Sequence, residues 1–230
     1  MQEILKKYNI NLEEKQIKKL EKFLKIFMEK NSQINLSAIR ESDEIILKHF
    51  VDSLILTNFV DLKWKVLDLW TGWWFPWIPL KIFLEEQIKL SLLDSVGKKL
   101  DAIDGFLEEL ELSKDTITVK ARAEELAHNK DFRSKFRFVI SRATAYLPTL
   151  IEYSMAFVRV DWYLIAYKLE DEAEIEESKK ALKANWAEIE RIEKYEIDGQ
   201  KRVLIFIKKI WKTPSKYPRK IWEPRKNPII

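Results

Sequence analysis

VLDLWTGWWFPWIPL, residues 66–80, runs from a short apolar strand pattern straight into an apolar helical stretch. A strand that feeds a helix through a tight turn is the opening unit of a parallel α/β sheet, and such sheets take their ligands beyond the carboxyl ends of the strands. The turn at that place needs positive φ and a close approach of backbone to ligand, both of which call for glycine. Only Gly72 meets that need, flanked by Trp70, Trp73, Trp74 and Trp77.

The same alternation continues outward. Apolar runs at 65–69, 88–94, 116–121, 136–143, 163–168 and 202–208 read as strands, separated by helical patterns at 76–86, 97–112, 146–158 and 171–185. Strands without a polar face are buried on both sides, as in a parallel sheet covered by helices. The final runs, near 188–197 and 202–208, are joined by Asp198-Gly199 and read as an antiparallel hairpin. Upstream, residues 12–31 place Ile17, Leu20, Phe23, Leu24 and Phe27 on one helical face, and 41–60 read as a second helix. The expected organisation is a helical cap over 1–62, a Rossmann-like domain over 63–210 and a basic tail over 211–230. A mostly parallel sheet closed by an antiparallel last strand is the arrangement of class I methyltransferases.

Composition narrows the function. The chain has 230 residues, 47% hydrophobic and 34% charged, with no cysteine and two histidines, His49 and His128. That excludes disulfides and thiolate metal sites and leaves too few ligands for a typical zinc centre. No apolar run approaches a membrane span, and the charged N-terminus lacks an export signal, so a cytoplasmic location is expected. From Lys208 to Lys226 eight Lys and Arg (Lys208, Lys209, Lys212, Lys216, Arg219, Lys220, Arg225, Lys226) face one acid, Glu223. Four prolines argue against a helix there, so an extended segment suited to tracking a phosphate backbone is expected, clear of the strands that form the ligand pocket.

Nine tryptophans against four glycines is an inversion of ordinary usage. With glycine at 70, 73, 74 and 77, the deciding stretch becomes VLDLGTGGGFPGIPL. So read, the chain resembles the RsmG (GidB) family of bacterial 16S rRNA guanine-N7 methyltransferases. Further matches run along the chain: NLSAI at 35–39, HFVDSL at 49–54, LLDS at 92–95 with Lys98-Lys99, RAE at 122–124, SRA at 141–143 with Leu147-Pro148, and TPSKYPR at 213–219. Trp70, Trp74, Trp77, Trp162 and Trp222 stand where that family has glycine; Trp64, Trp73, Trp186 and Trp211 stand at turn-like places. The expectation is that the nine are UGA codons, which some bacteria read as tryptophan and others as glycine. The opposing reading is a true tryptophan-rich chain with a rebuilt loop.

The resemblance implies S-adenosylmethionine as cofactor and 16S rRNA or the small ribosomal subunit as partner. It places Trp70, Gly72 and Phe75 around the cofactor, Asp94 on its ribose hydroxyls, Ala123 and Glu124 beside its adenine, and Arg142 facing cofactor or RNA. Lys168, with Lys212, Lys216, Arg219, Lys220 and Arg225, is assigned to RNA. His49, Asp52 and Ser53 lie too close on one helix for a catalytic triad and are expected to pack or to face RNA. No general base is expected, since guanine N7 is alkylated through a lone pair without losing a proton; alignment by Arg142 and Lys168 suffices. Two other functions compete: a methyltransferase for a small molecule or protein, and a non-enzymatic RNA-binding assembly factor with a blocked pocket. Cofactor binding separates the last from the enzymes.

Overall fold

The structure is a computed structural model that describes residues 1–34, 37–72, 74–142 and 145–230. Asn35 and Leu36 of the 35–39 motif, Trp73, and Ala143 of the 141–143 motif lie outside the described residues. Seven strands form one sheet in the order β3-β2-β1-β4-β5-β7-β6. They are β1 (Trp64–Leu69), β2 (Ile88–Asp94), β3 (Thr116–Lys120), β4 (Phe136–Arg142), β5 (Val158–Leu169), β6 (Ala187–Ile197) and β7 (Gln200–Lys209). The first five pair in parallel, and β7 lies antiparallel between β5 and β6. Strand order reverses between β1 and β4, which opens a crevice at their carboxyl ends.

Alternation along the strands divides the core into two faces. Val66, Leu90, Leu92, Ile140, Leu204 and Phe206 pack with the N-terminal helices α1 (Gln2–Lys7) and α2 (Glu14–Ile34) and with α5 (Trp77–Leu84) and α6 (Gly97–Glu109). Leu67, Leu69, Leu93, Val139, Val203 and Ile205 pack on the other face with α8 (Leu147–Met155) and α10 (Lys179–Ala184). Leu20, Phe23 and Phe27 of α2 are buried, as their spacing requires. The single helix expected at 41–60 is broken instead. α3 (Ser42–Ile45) passes into a π turn over Ile46–Val51, then α4 (Asp52–Leu54), then a 3-10 turn over Ile55–Asn58. Short helices α7 (Ala123–Leu126) and α9 (Glu172–Glu177) follow β3 and β5.

The C-terminal segment departs from expectation. It is not extended: it carries a helical turn, α11 (Glu223–Lys226), with Pro224 in its first turn, where proline is tolerated. It is also packed down. Arg133 donates to the carbonyls of Thr213, Pro214 and Tyr217, and the Thr149 hydroxyl donates to the carbonyl of Pro224. Arg219 forms a bidentate pair with fully buried Glu152. Lys209 is buried at the end of β7, its ammonium bonded to the Val158 carbonyl and Ser134.

The tryptophans sit badly in this fold. Among the described residues eleven non-glycine positions have positive φ, and four of them are Trp64, Trp70, Trp186 and Trp222 (φ 68°, 59°, 54° and 67°). The left-handed region sets Cβ against the following carbonyl, and only Gly, Asn and Asp enter it readily. Trp74 and Trp77 are buried with indole N–H groups that have no partner, and the Trp74 ring centroid lies 3.7 Å from that of Phe106, inside the usual 4.5–7 Å range.

Trp186 is 52% exposed, so little packing is lost with its side chain. Trp186→Gly is expected to raise stability by about 1 kcal/mol through release of left-handed strain, read as a higher urea midpoint; a lower midpoint contradicts it.

Candidate active site

A cavity of about 590 Å³ opens at the carboxyl ends of β1 to β4. Trp70 and Gly72 after β1, Asp94 and Ser95 at the end of β2, Arg122 to Glu124 after β3 and Tyr146 before α8 line it. Asp94 is 4% exposed; one carboxylate oxygen accepts from the Val96 N–H at 2.9 Å, and the other lies 3.6 Å from the Lys99 ammonium. Trp70 (φ 59°) and Gly72 (φ 60°) give the turn its left-handed geometry. The Trp70 indole, however, forms part of the cavity wall, edge-on to Tyr153 at 4.9 Å. One oxygen of Asp68 and the Thr71 hydroxyl are buried and make no hydrogen bond of good geometry. Burial pushes the Asp68 carboxyl up to about 8, partly offset by the nearby Thr71 hydroxyl and the Arg142 charge.

The tail completes this cavity. Trp222, Arg225 and Pro228 line it, the Trp222 N–H donates to Glu124 at 3.0 Å, and Arg122 stacks over the Trp222 ring. The expectation that the tail lies clear of the pocket is corrected: its anchor, Glu152 on α8, is adjacent to the pocket wall formed by Thr149 and Tyr153. Of the six residues assigned to RNA, Arg219 is committed to Glu152 and Arg225 faces this cavity, while Lys212, Lys216 and Lys220 are exposed. Glu124 is buried, with its carboxylate on the tail.

Phe75 and Arg142 do not line that cavity. Phe75 packs among Phe23, Phe27 and Phe50 and stacks on His49 at 4.6 Å. Arg142, 5.2 Å above the Phe75 ring, lines a second cavity of about 650 Å³ with Lys48, His49, Asp52, Lys168, Tyr195 and Arg202. Asp52, 1% exposed, is its hub. One carboxylate oxygen accepts from Arg142 at 3.2 Å and Arg202 at 3.0 Å, and the other from the Tyr195 hydroxyl at 2.8 Å. His49 bridges Ser37 and Arg142; burial, then the Arg142 charge, lowers its pKa to about 3. Ser53 merely donates to the His49 carbonyl. Lys168 is not solvent-facing: it bonds Glu174 at 2.5 Å and the Ala145 carbonyl. Arg202 and Tyr195, from the terminal hairpin, escape sequence reading because they lie 150 and 143 residues from Asp52. Among the described residues no group of His, Asp and Glu is placed to hold a metal, and no helix is long and apolar enough to cross a membrane.

A seven-stranded sheet of this order with its cavity at the reversal point, an acid closing β2 and a left-handed turn after β1 define a class I S-adenosylmethionine-dependent methyltransferase. Solved structures share the fold: M. jannaschii TYW2 in complex with AdoMet (TM-score 0.55, 14% identity, 75% of this chain and 80% of that one), and a SAM-dependent methyltransferase from Aquifex aeolicus (TM-score 0.54, 16% identity, 71% and 92%). The chain belongs to the rRNA small subunit methyltransferase G family, which it matches over residues 16–204. It is 41% identical to ribosomal RNA small subunit methyltransferase G of Acetivibrio thermocellus, covering 96% of this chain and 92% of that protein. The relative of the same name from Lactococcus lactis subsp. lactis is 36% identical over 98% and 96%.

Two measurements check this geometry. Asp52→Asn leaves two guanidiniums without their countercharge and is expected to lower unfolding free energy by about 3–5 kcal/mol in urea titration. His49 stays neutral in the fold down to about pH 3, whereas the unfolded imidazole takes a proton below about 6.5. The unfolded state therefore binds more protons in that window, and stability falls as pH drops from about 6.5 toward 3. His49→Gln is expected to flatten the wild-type decline in melting temperature over this range; parallel curves contradict it.

Proposed function

We propose that this chain transfers a methyl group from S-adenosylmethionine to N7 of a guanine in 16S ribosomal RNA, and that the nine tryptophan positions carry glycine in the protein its source cell makes. The observation that carries the reading is the left-handed turn at residues 70–72 above the buried carboxylate of Asp94, in a chain of the rRNA small subunit methyltransferase G family. The donor set fits the cofactor. Asp94 would accept from the ribose hydroxyls, Ala123 and the neighbouring backbone would flank the adenine, and the turn at Trp70 and Gly72 would hold the methionine end. What does not fit is the Trp70 side chain, which occupies space that a glycine would leave open. The cofactor supplies an electrophilic methyl group.

The residues of the chain supply alignment. Arg142 stands at the end of β4 in the wall of the second cavity, fixed by Asp52 and by stacking on Phe75. A guanine presented from the second cavity needs no base, because its N7 carries no proton to lose. Electrostatics and orientation then carry the rate. In paired RNA the major groove that displays N7 is too narrow for side chains, so the acceptor would be unstacked or extruded. The exposed Lys220, next to the anchored Arg219, would meet RNA backbone outside the cavity, whereas Lys212 and Lys216 follow β7 beyond the amino end of β5 and would touch only RNA that reaches round the sheet.

Asp94→Ala is expected to weaken S-adenosylmethionine binding by about 1.5–3 kcal/mol, the worth of hydrogen bonds to a charged acceptor, measured by calorimetry on the variant with glycine at all nine positions. Unchanged affinity would move the nucleoside elsewhere. On the same titration the chain with tryptophan at position 70 is expected to bind far more weakly. Peptide masses from the source organism showing tryptophan at 70, 74 and 77 would overturn the decoding.

A further inference from the structure

The lining of the second cavity carries four cations, Lys48, Arg142, Lys168 and Arg202, and three carboxylates, Asp52, Asp171 and Glu174. Lys48 pairs with two further carboxylates, Glu44 and Asp198, and Lys168 with Glu174, so any excess of positive charge is local. The Asp171 carboxylate caps α9, accepting from the Glu174 N–H. What remains is the Asp52 cluster, in which two guanidiniums share one oxygen of one carboxylate. Its other neighbours add no negative charge: His49 is neutral above about pH 3, and burial and the nearby Asp52 hold the Tyr195 hydroxyl protonated.

A net positive charge in so dry a place is costly unless an anion joins it. The two arginine side chains are 15% and 21% exposed, so each is anchored by Asp52 on one side and open to the cavity on the other. We propose that Arg142 and Arg202, held together by Asp52, form a phosphate site that takes a phosphate of the RNA nucleotide being methylated. The planar fork of a guanidinium suits phosphate oxygens, and a phosphodiester carries the single negative charge that the cluster lacks. A base edge offers only neutral acceptors and leaves the surplus in place. The carboxylate of the cofactor is placed otherwise, because Arg202 lines only the cavity away from Asp94. The site's ligand rests on the reading of the chain as an RNA methyltransferase; its charge surplus does not.

The test is calorimetric titration of the full chain, carrying glycine at the nine tryptophan positions, with guanosine 5′-monophosphate, guanosine, inorganic phosphate and S-adenosylmethionine. The monophosphate is expected to bind at least tenfold more tightly than guanosine, and Arg202→Gln to bring that ratio close to one while the guanosine and S-adenosylmethionine constants stay within twofold. Should Arg202→Gln fail to fold, Arg202→Lys keeps a charge without the fork, and an intermediate ratio is expected. Equal affinities for monophosphate and guanosine, or a ratio that survives both substitutions, overturn the site. Inorganic phosphate binding as tightly as the monophosphate overturns its assignment to a nucleotide. Loss of S-adenosylmethionine binding in Arg202→Gln assigns the arginine to the cofactor and overturns it too. Failure of the chain to methylate ribosomal RNA would leave these ratios unmoved, so the two readings fail separately.

Discussion

The chain has to reverse direction between the end of β1 and the start of α5, residues 70–76, and it begins to do so through left-handed backbone at 70 and 72. α5 then helps close one face of the sheet. The turn also leaves the space above Asp94 in which a nucleoside can lie. A side chain at position 70 conflicts with both demands at once: its Cβ is strained in the left-handed region, and its indole becomes part of the cavity wall. Strain here and strain at 64, 186 and 222 have one physical cause, and a single change of residue type relieves all four.

On the opposite side of that turn, Asp52 ties together three parts of the chain that are distant in sequence. The N-terminal helical run supplies the carboxylate, β4 supplies Arg142, and the terminal hairpin supplies Tyr195 and Arg202. Tyr167 on β5 adds a hydroxyl donor to the Ser53 carbonyl. The helices before β1 are thereby fixed to the sheet by polar contacts at the site as well as by apolar packing below it. His49 stacking on Phe75 extends the link to the loop after β1.

Much of this is legible in the sequence. The apolar runs place β2 to its last residue and β1 to within one, because buried parallel strands are continuous apolar runs; the hairpin follows from Asp198-Gly199. The π turn at 46–51 is not legible, since an apolar face at helical spacing looks the same with one extra residue in a turn. His49 and Asp52 stand out by residue type, yet the partners of Asp52 come from 90 to 150 residues away, beyond any local pattern. The tail misleads for the same reason. Its charge and prolines describe an extended cationic segment, and nothing near Arg219 in sequence reveals Glu152, 67 residues upstream.

That strap bears on the order in which the molecule is made. The wall formed by Trp222, Arg225 and Pro228 follows every strand of the sheet in chain order. The residues of this wall are therefore joined to the chain after those of the sheet, α2 and the Asp52 cluster. The nucleoside cavity reaches its final shape only when Arg219 holds Glu152 and the segment lies against α8.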